Sequence, residues 1–183
     1  MAALGNRGVT LVGMRRFDEA IIAHRQALAI CPKLDERHVE GRVLDDLGDA
    51  LRETRRFDEA ITAHQQALTI YRELDDRYGE AQALHNLGTV LRETRRFDEA
   101  ITASQRAVTQ FREADDRHGE ALALVNLGTT LALLRRFGQA RSTLDKAMSR
   151  FASTGDNEKV ALTRKLRRRV KVLILLRRLR IPL

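Results

Sequence analysis

"LRETRRFDEAITA" occurs twice in this chain, at Leu51–Ala63 and again forty residues later at Leu91–Ala103. Shorter copies stand forty residues to either side, "RRFDEAI" at Arg15–Ile21 and "RRFGQAR" at Arg135–Arg141. A fixed period of this size is typical of repeat proteins, whose units must stack on one another to bury their apolar faces. The alternative interpretation is a chemical site present in four copies.

Each forty-residue unit contains two amphipathic patterns. Leucines lie three residues before and four residues after a Leu-Gly pair, which recurs at Leu47-Gly48, Leu87-Gly88 and Leu127-Gly128. This spacing draws one apolar stripe along a helix. The second half of the unit has a stripe of its own, which in the second unit is Phe57, Ala60, Ile61, Ala67, Leu68 and Tyr71. The sequence therefore predicts an all-α fold in which each unit is a pair of helices of roughly four turns.

The recurring glycine predicts close contact between the two helices of a unit. A glycine inside a helix costs about 1 kcal/mol relative to alanine, so its return in every unit indicates that a neighbouring helix needs the space. We expect the reciprocal contacts to come from two alanine columns of the second helix: Ala20, Ala60, Ala100 and Ala140, and Ala27, Ala67, Ala107 and Ala147.

This pattern resembles the tetratricopeptide repeat family. The matching features are the Leu-Gly pair of the first helix, the aromatic-acid-acid-Ala opening of the second helix, its later small residue, and Pro32 at a helix end. The forty-residue period with "GEAQALHNLG" at Gly79–Gly88 is similar to the longer-repeat variant of cell-polarity adaptors and bacterial regulatory proteins. The resemblance implies an α-α superhelix of about four helix hairpins, with units at about 1–38, 39–78, 79–118 and 119–156.

The turn inside each unit departs from the family pattern. Where the family often has glycine, this chain has Arg15, Arg55, Arg95 and Arg135. A left-handed arginine costs on the order of 1 kcal/mol, so we expect this turn to differ from that of the family.

The residues with possible chemical roles are better explained by structure. Acids such as Asp58 and Glu59 fall in the first turn of a helix, where they complement its dipole, and the aspartates of the turns "LDDRY" and "ADDRH" fit helix caps. The single cysteine, Cys31, and the histidines His24 and His64 stand in columns that predict packing. No sequence motif of a metal site or phosphate loop is present. We therefore predict no enzymatic activity, no catalytic residues, no cofactor and no metal.

A partner protein or peptide is expected in the concave groove that, as the resemblance implies, the first helices line. Groove positions lie on these helices outside the Leu-Gly stripe. In the second unit they are Arg42, Asp45, Asp46, Asp49 and Arg52; in the third Gln82, His85, Asn86, Thr89 and Arg92; and in the fourth Leu122, Val125, Asn126 and Thr129.

Asparagines share one groove column, at Asn6, Asn86 and Asn126. They are similar to asparagines that hold a peptide backbone in longer-repeat relatives, since an amide offers both a donor and an acceptor. The alternative is that they form hydrogen bonds within the array.

The last segment, 157–183, predicts a basic amphipathic helix and tail. The net charge of the chain is +8, yet ten of its 33 Lys and Arg residues follow Asn157, so the preceding part is nearly neutral. An apolar seam runs through Leu162, Leu166, Val170, Leu173 and Leu176. We expect this helix to cap the array, because a solenoid needs a terminal element with a polar outer face. Attachment to nucleic acid or to an anionic membrane through Arg164–Arg180 is the alternative.

The function that these patterns predict is a non-enzymatic interaction scaffold that binds a peptide or helical segment. The alternative is a regulatory module of a larger bacterial protein that acts by self-association or through its basic tail. The single cysteine, the lack of a secretory leader and the lack of any apolar run of membrane-spanning length favour a cytoplasmic setting.

Overall fold

The computed structural model of this chain describes residues 2–30 and 37–178. All regular secondary structure in this part is helical, which confirms the all-α prediction. The helices are α1 Ala2–Gly13, α2 Phe17–Leu28, α3 Arg37–Glu53, α4 Phe57–Glu73, α5 Arg77–Glu93, α6 Phe97–Glu113, α7 Arg117–Leu133, α8 Phe137–Ser153 and α9 Asn157–Arg178. Cys31, Pro32 and the side chain of Asn6 lie outside the described part, as do residues 179–183 of the basic tail.

The chain divides into two compact bodies, residues 1–94 and 95–183. In the N-terminal body each helix from α1 to α5 packs on the next one along the chain, and in the C-terminal body α6 to α9 do the same. The apolar stripes predicted from the sequence form the interiors of both bodies. Leu44, Leu51, Leu124 and Phe151, for example, are all at most 6% exposed.

Aspartate caps begin the first helices where the sequence predicts them. Asp76 Oδ1 accepts a hydrogen bond from the backbone N–H of Gly79 at 2.8 Å, and Asp116 Oδ1 accepts one from Gly119 at 2.9 Å. Asp156 repeats the arrangement at the start of α9. Each cap satisfies one of the exposed backbone donors of a helix N-terminus.

The arginine turns keep the left-handed geometry, so the expectation of a different turn is wrong. Arg55 has φ of 62°, and Arg15, Arg95 and Arg135 have φ of 57–64°. Two hydrogen bonds close the turn after α3, from Arg55 N–H to the carbonyl of Arg52 and from Arg56 N–H to the carbonyl of Leu51, both at 2.9 Å. This is the pattern of a Schellman cap, which satisfies carbonyls that would otherwise lack a partner and offsets the strain of a left-handed arginine.

The contact with the helix glycines also differs from the prediction. A Cβ built on Gly48 would lie 2.5 Å from the His64 ring, and one on Gly8 would lie 2.4 Å from the His24 ring. In the fourth unit Leu144 occupies this place, 2.9 Å from a Cβ on Gly128. The alanine columns are buried but do not make the closest contact, because a larger side chain from the next turn of the second helix fills the space that glycine leaves.

Candidate functional site

The first helices of the N-terminal body form one surface, which we call the first-helix face. The backbone of α3 contacts those of α1 and α5, whereas no such contact joins α2 and α4 among the described residues. The predicted groove residues of α3 and α5 therefore lie on neighbouring helices of one surface. Those that are half-buried are Asp46, Asp49, Arg52, His85, Asn86, Thr89 and Arg92; Arg42 and Gln82 are exposed, and Asp45 is buried.

A buried polar cluster joins this face to the second helix α4. Nδ1 of the fully buried His64 lies 2.6 Å from Oδ1 of Asp45. The other carboxylate oxygen of Asp45 accepts a hydrogen bond from Nδ2 of Asn86 at 3.0 Å. The same Nδ2 lies 3.5 Å from Oδ2 of Asp49, so Asn86 connects two carboxylates of α3.

The asparagine column therefore forms hydrogen bonds within the array at Asn86. Only the Nδ2 donor takes part, and Oδ1 of Asn86 makes no hydrogen bond within the described residues. In the C-terminal body Asn126 is 6% exposed, while Leu122, Val125 and Thr129 on the same helix are half-buried.

A cavity of about 470 Å³ opens beside this cluster. The carboxylate of Asp49 and the amide of Asn86 lie at its wall, so the polar cluster and the cavity form one site. Its lining comes from α1 and the turn after it, α2, α3 and α5, and consists of Val12, Arg15, Phe17, Asp49, Arg52, Glu53, His85, Asn86 and Thr89.

The carboxyl groups of Asp46 and Asp49 are held in an unfavourable environment. Burial is the main cause that raises the pKa of each to about 6, and repulsion from Asp45 adds to it. Arg42 opposes the pKa shift at Asp46, and His64 and Arg52 oppose it at Asp49, without cancelling it.

His85, next to Asn86 on α5, also lines this cavity. Burial lowers its pKa to about 4, and Arg92 and His64 lower it further, while Asp45 acts in the opposite direction. The imidazole is therefore neutral at pH 7 and gives the three aspartates no counter-charge.

The raised pKa values give a testable pH dependence of stability. A carboxyl group whose folded pKa lies above its unfolded value near 4 costs nothing below about pH 4 and has its full cost above about pH 6. Replacing Asp46 and Asp49 by Asn should therefore stabilise the protein by on the order of 2 kcal/mol at about pH 7.5, and by close to nothing at about pH 4. Urea unfolding at the two pH values measures this difference.

Comparing the variant with the parent also separates the contribution of the aspartates from the pH dependence that His85 causes. The lowered pKa of His85 makes the folded state less stable as pH falls from about 6.5 to about 4, and it does so equally in both proteins. A matched control removes two exposed carboxylates, Asp75→Asn with Asp115→Asn. A stability gain of equal size at both pH values would contradict the assignment of buried, repelling carboxylates.

No metal site is formed within the described residues. No group of three or more His, Cys, Asp or Glu side chains there is placed to hold a metal ion. No helix in residues 2–30 or 37–178 has the length and hydrophobicity that crossing a membrane requires.

Comparison with known proteins identifies the repeat and the fold. A sequence model described as "Tetratricopeptide repeat" matches residues 1–73 and 79–153. No sequence among the curated proteins matches the chain. Among solved structures, BtubC from P. vanneervenii is similar with a TM-score of 0.70 at 17% identity, over 91% of this chain and 78% of that protein.

Two further similar structures are longer than this chain. A Rap protein complexed with competence and sporulation factor has a TM-score of 0.72 at 15% identity, over 91% of this chain and 52% of that one. Aspartyl phosphate phosphatase F from Bacillus subtilis has a TM-score of 0.80 at 15% identity, over 90% of this chain and 43% of that one. The chain thus spans about half the length of these two proteins, and at such low identity the similarity concerns the fold.

Proposed function

We propose a function for this chain from one premise: it belongs to the tetratricopeptide repeat family, whose sequence model matches it along residues 1–73 and 79–153. Arrays of this family are protein–protein interaction scaffolds and are typically non-catalytic. The chain is accordingly assigned as a non-enzymatic scaffold of a bacterial cytoplasm, and the first-helix face of its N-terminal body is the surface that binds a partner.

The ligand of this face is a peptide or helical segment that carries a Lys or Arg side chain. The supporting observation is the cavity of about 470 Å³ with the half-buried carboxylate of Asp49 at its wall. A cation bound there would lower the raised pKa of Asp49 and weaken the repulsion of Asp49 from Asp45. The free acceptor Oδ1 of Asn86 would take a backbone N–H of the same segment.

The similar structures support the binding of a second molecule by this fold. One of them is a complex of a Rap protein with competence and sporulation factor. A second function, regulation through self-association or through attachment of the tail to nucleic acid or an anionic membrane, is supported by the concentration of Lys and Arg after Asn157. The stability and binding of a chain that lacks the tail separate these two functions.

Selection from a library of random displayed peptides on the intact chain tests the basic ligand. Enriched peptides should carry Lys or Arg at a fixed position, and the variant Asp46→Asn with Asp49→Asn should bind them at least about tenfold more weakly, which is about 1.4 kcal/mol. Loss of affinity together with a gain of stability at pH 7.5 is the signature of a binding site, since a structural role would move both in the same direction.

Two controls complete the test. Asp75→Asn with Asp115→Asn removes the same charge from exposed turns and should leave binding unchanged, while Asn86→Ala should weaken binding about three- to tenfold. Enrichment of acidic or purely apolar peptides, or equal binding by Asp46→Asn with Asp49→Asn, would overturn the assignment. Capture of partners by the intact chain, followed by mass spectrometry, then identifies the natural ligand.

A further inference from the structure

Helix α9 stands where the first helix of a fifth repeat would begin. It starts at Asn157, forty residues after α7 starts at Arg117, and it has the same aspartate cap. It packs against α8, as α7 packs against α6. The segment after residue 156 therefore keeps the repeat register, although its sequence does not show the Leu-Gly pattern.

The side of α9 that faces α8 retains the packing of a first helix. Thr163 and Val170 are 2% and 4% exposed. Forty residues earlier, Ala123 and Thr130 occupy these positions in α7 and are fully buried. The predicted seam holds at Leu166, Val170 and Leu173, which pack on the apolar cluster, but not at Leu162, which is 51% exposed while Thr163 takes the buried place.

The other side of α9 differs from every earlier first helix. In α3, α5 and α7 it is the Leu-Gly stripe, which contacts the second helix of the same unit, as Gly48 contacts His64; in α1 the pair is Arg7-Gly8. In α7 the stripe is Leu124, Leu127, Gly128 and Leu131, all buried. In α9 the same positions are Arg164, Arg167, Arg168 and Lys171. Three of these, Arg164, Arg168 and Lys171, are exposed.

An open groove lies where the second helix of this fifth unit would pack. Its volume is about 960 Å³, and it runs along α8 to Ile174 of α9. One unit earlier, the corresponding space beside α6 and α8 is only about 400 Å³. One apolar position of the second helix also changes in the fourth unit. The earlier units have a buried isoleucine there (Ile21, Ile61 and Ile101), whereas α8 has the exposed Arg141.

The groove combines an apolar floor with basic walls. Phe137 is 5% exposed, and Ile174 packs partly buried against the same apolar cluster. Asp145 is the single acid among the lining residues of this groove, and Nε of Arg167 lies 2.5 Å from its Oδ1. Arg141 and Lys146 are further basic residues of the lining. The charge of the groove and of the exposed stripe beside it is therefore strongly positive.

We propose that this groove binds an amphipathic helix of a partner protein whose facing side carries Glu or Asp. Such a helix would take the place of the second helix of the fifth unit and pair its acids with Arg164, Arg168 and Lys171. The length of α8, 17 residues or about 25 Å, suits a helix of four to five turns. A polar cap alone needs neither the cavity nor its apolar floor, and a basic surface for phosphates does not need the apolar floor.

The probe is a synthetic peptide with the sequence of residues 56–73, because α4 is a natural second helix of this array. Three positions on its side facing α3 are changed: Ala60→Glu, His64→Glu and Ala67→Glu. A control peptide has Lys at the same three positions. Fluorescence anisotropy of the labelled peptides, at an ionic strength of about 0.1 M, measures binding to the intact chain.

Two charge-reversed variants of the protein provide a matched comparison. Arg164→Glu with Arg168→Glu changes the stripe that replaces the Leu-Gly pattern. Lys165→Glu with Arg169→Glu alters the net charge by the same amount at exposed positions one residue further along the helix. Circular dichroism establishes that both variants keep the helix content of the parent.

The expected result is that the Glu peptide binds the parent at least about tenfold more tightly than the Lys peptide. The first variant should lose about tenfold for the Glu peptide and prefer the Lys peptide, while the second should change binding less than about threefold. Equal losses in both variants, or no preference of the parent for the Glu peptide, would overturn the proposal.

Two further probes distinguish other partners of the basic tail. A 20-base-pair DNA duplex (about two helical turns) and vesicles of phosphatidylserine and phosphatidylcholine are tested with the same proteins. Binding of either probe that both variants weaken equally, without selective binding of the Glu peptide, would replace the groove by a diffuse basic surface. If Arg164→Glu with Arg168→Glu does not fold, the preference of the parent between the two peptides still decides the question.

Discussion

Deleting Asn157–Leu183 should destabilise the C-terminal body by on the order of 3 kcal/mol. Helix α9 covers an apolar cluster in α7 and α8 through Leu166, Val170, Leu173 and Ile174. The residues that lose this cover include Leu127, Leu131, Phe137 and Leu144. For a chain of this length the loss corresponds to a decrease in Tm of roughly 6–12 °C, measured by circular dichroism, with a parallel increase in binding of a hydrophobic dye.

Two valines of α9 provide point variants for the same prediction. Val170 is 4% exposed and Val172 is 53% exposed, so Val170→Ala should cost about 1–2 kcal/mol and Val172→Ala close to zero. A truncated chain of unchanged stability that no longer binds vesicles or DNA would contradict the capping role and favour attachment through the tail.

The helices and their packing faces could be predicted because the period of forty repeats the same physical requirement in every unit. Leu47, Leu87 and Leu127 are each at most 8% exposed, as a stripe with i, i+3, i+7 spacing requires. The aspartate caps of α5 and α7 follow from the same periodic positions. Stripes and caps of this kind are set by the backbone geometry of the helix pair, which is the same in each unit.

The prediction of the turn geometry was wrong for a local reason. The intrinsic preference of arginine against a left-handed conformation predicts a different turn, but it does not include the hydrogen bonds that the turn makes possible. The N–H of Arg56 reaches the carbonyl of Leu51, and this closure offsets the strain at Arg55.

The buried cluster around Asp45 could not be read from columns, because it occurs in one unit and not in the others. His64 meets Asp45, whereas the position of Asp45 in the first unit is glycine, so the equivalent His24 has no such carboxylate. The pair of Glu120 with Arg112 repeats that of Glu80 with Arg72, whereas the further contact of Glu120 with Arg150 has no arginine at the matching position of α6, which is Gln110. The register of α9 was not predicted, because its first-helix stripe is basic instead of apolar; the available signal in the sequence was Asp156, forty residues after Asp116.

Gly48→Ala should destabilise the N-terminal body by about 1–2 kcal/mol, although alanine is the better helix former. The new methyl group would lie 2.5–2.8 Å from three atoms of the His64 ring, which is shorter than any relaxed contact. The ring cannot move away cheaply, because it is fully buried and Asp45 holds its Nδ1 at 2.6 Å. Overpacking of about 1–3 kcal/mol therefore outweighs a helix-propensity gain of up to about 1 kcal/mol.

Urea unfolding of a double-mutant cycle isolates this contact. In the background of His64→Ala the ring is absent, so the addition of Gly48→Ala should be neutral or stabilising by up to about 1 kcal/mol. Gly138→Ala is the control in the parent, since a Cβ at that position of α8 would meet nothing within 4 Å beyond its own stretch of helix, and it should not destabilise. A loss of stability from Gly48→Ala that is equal with and without His64 would show that the glycine is required for another reason than the approach of the imidazole.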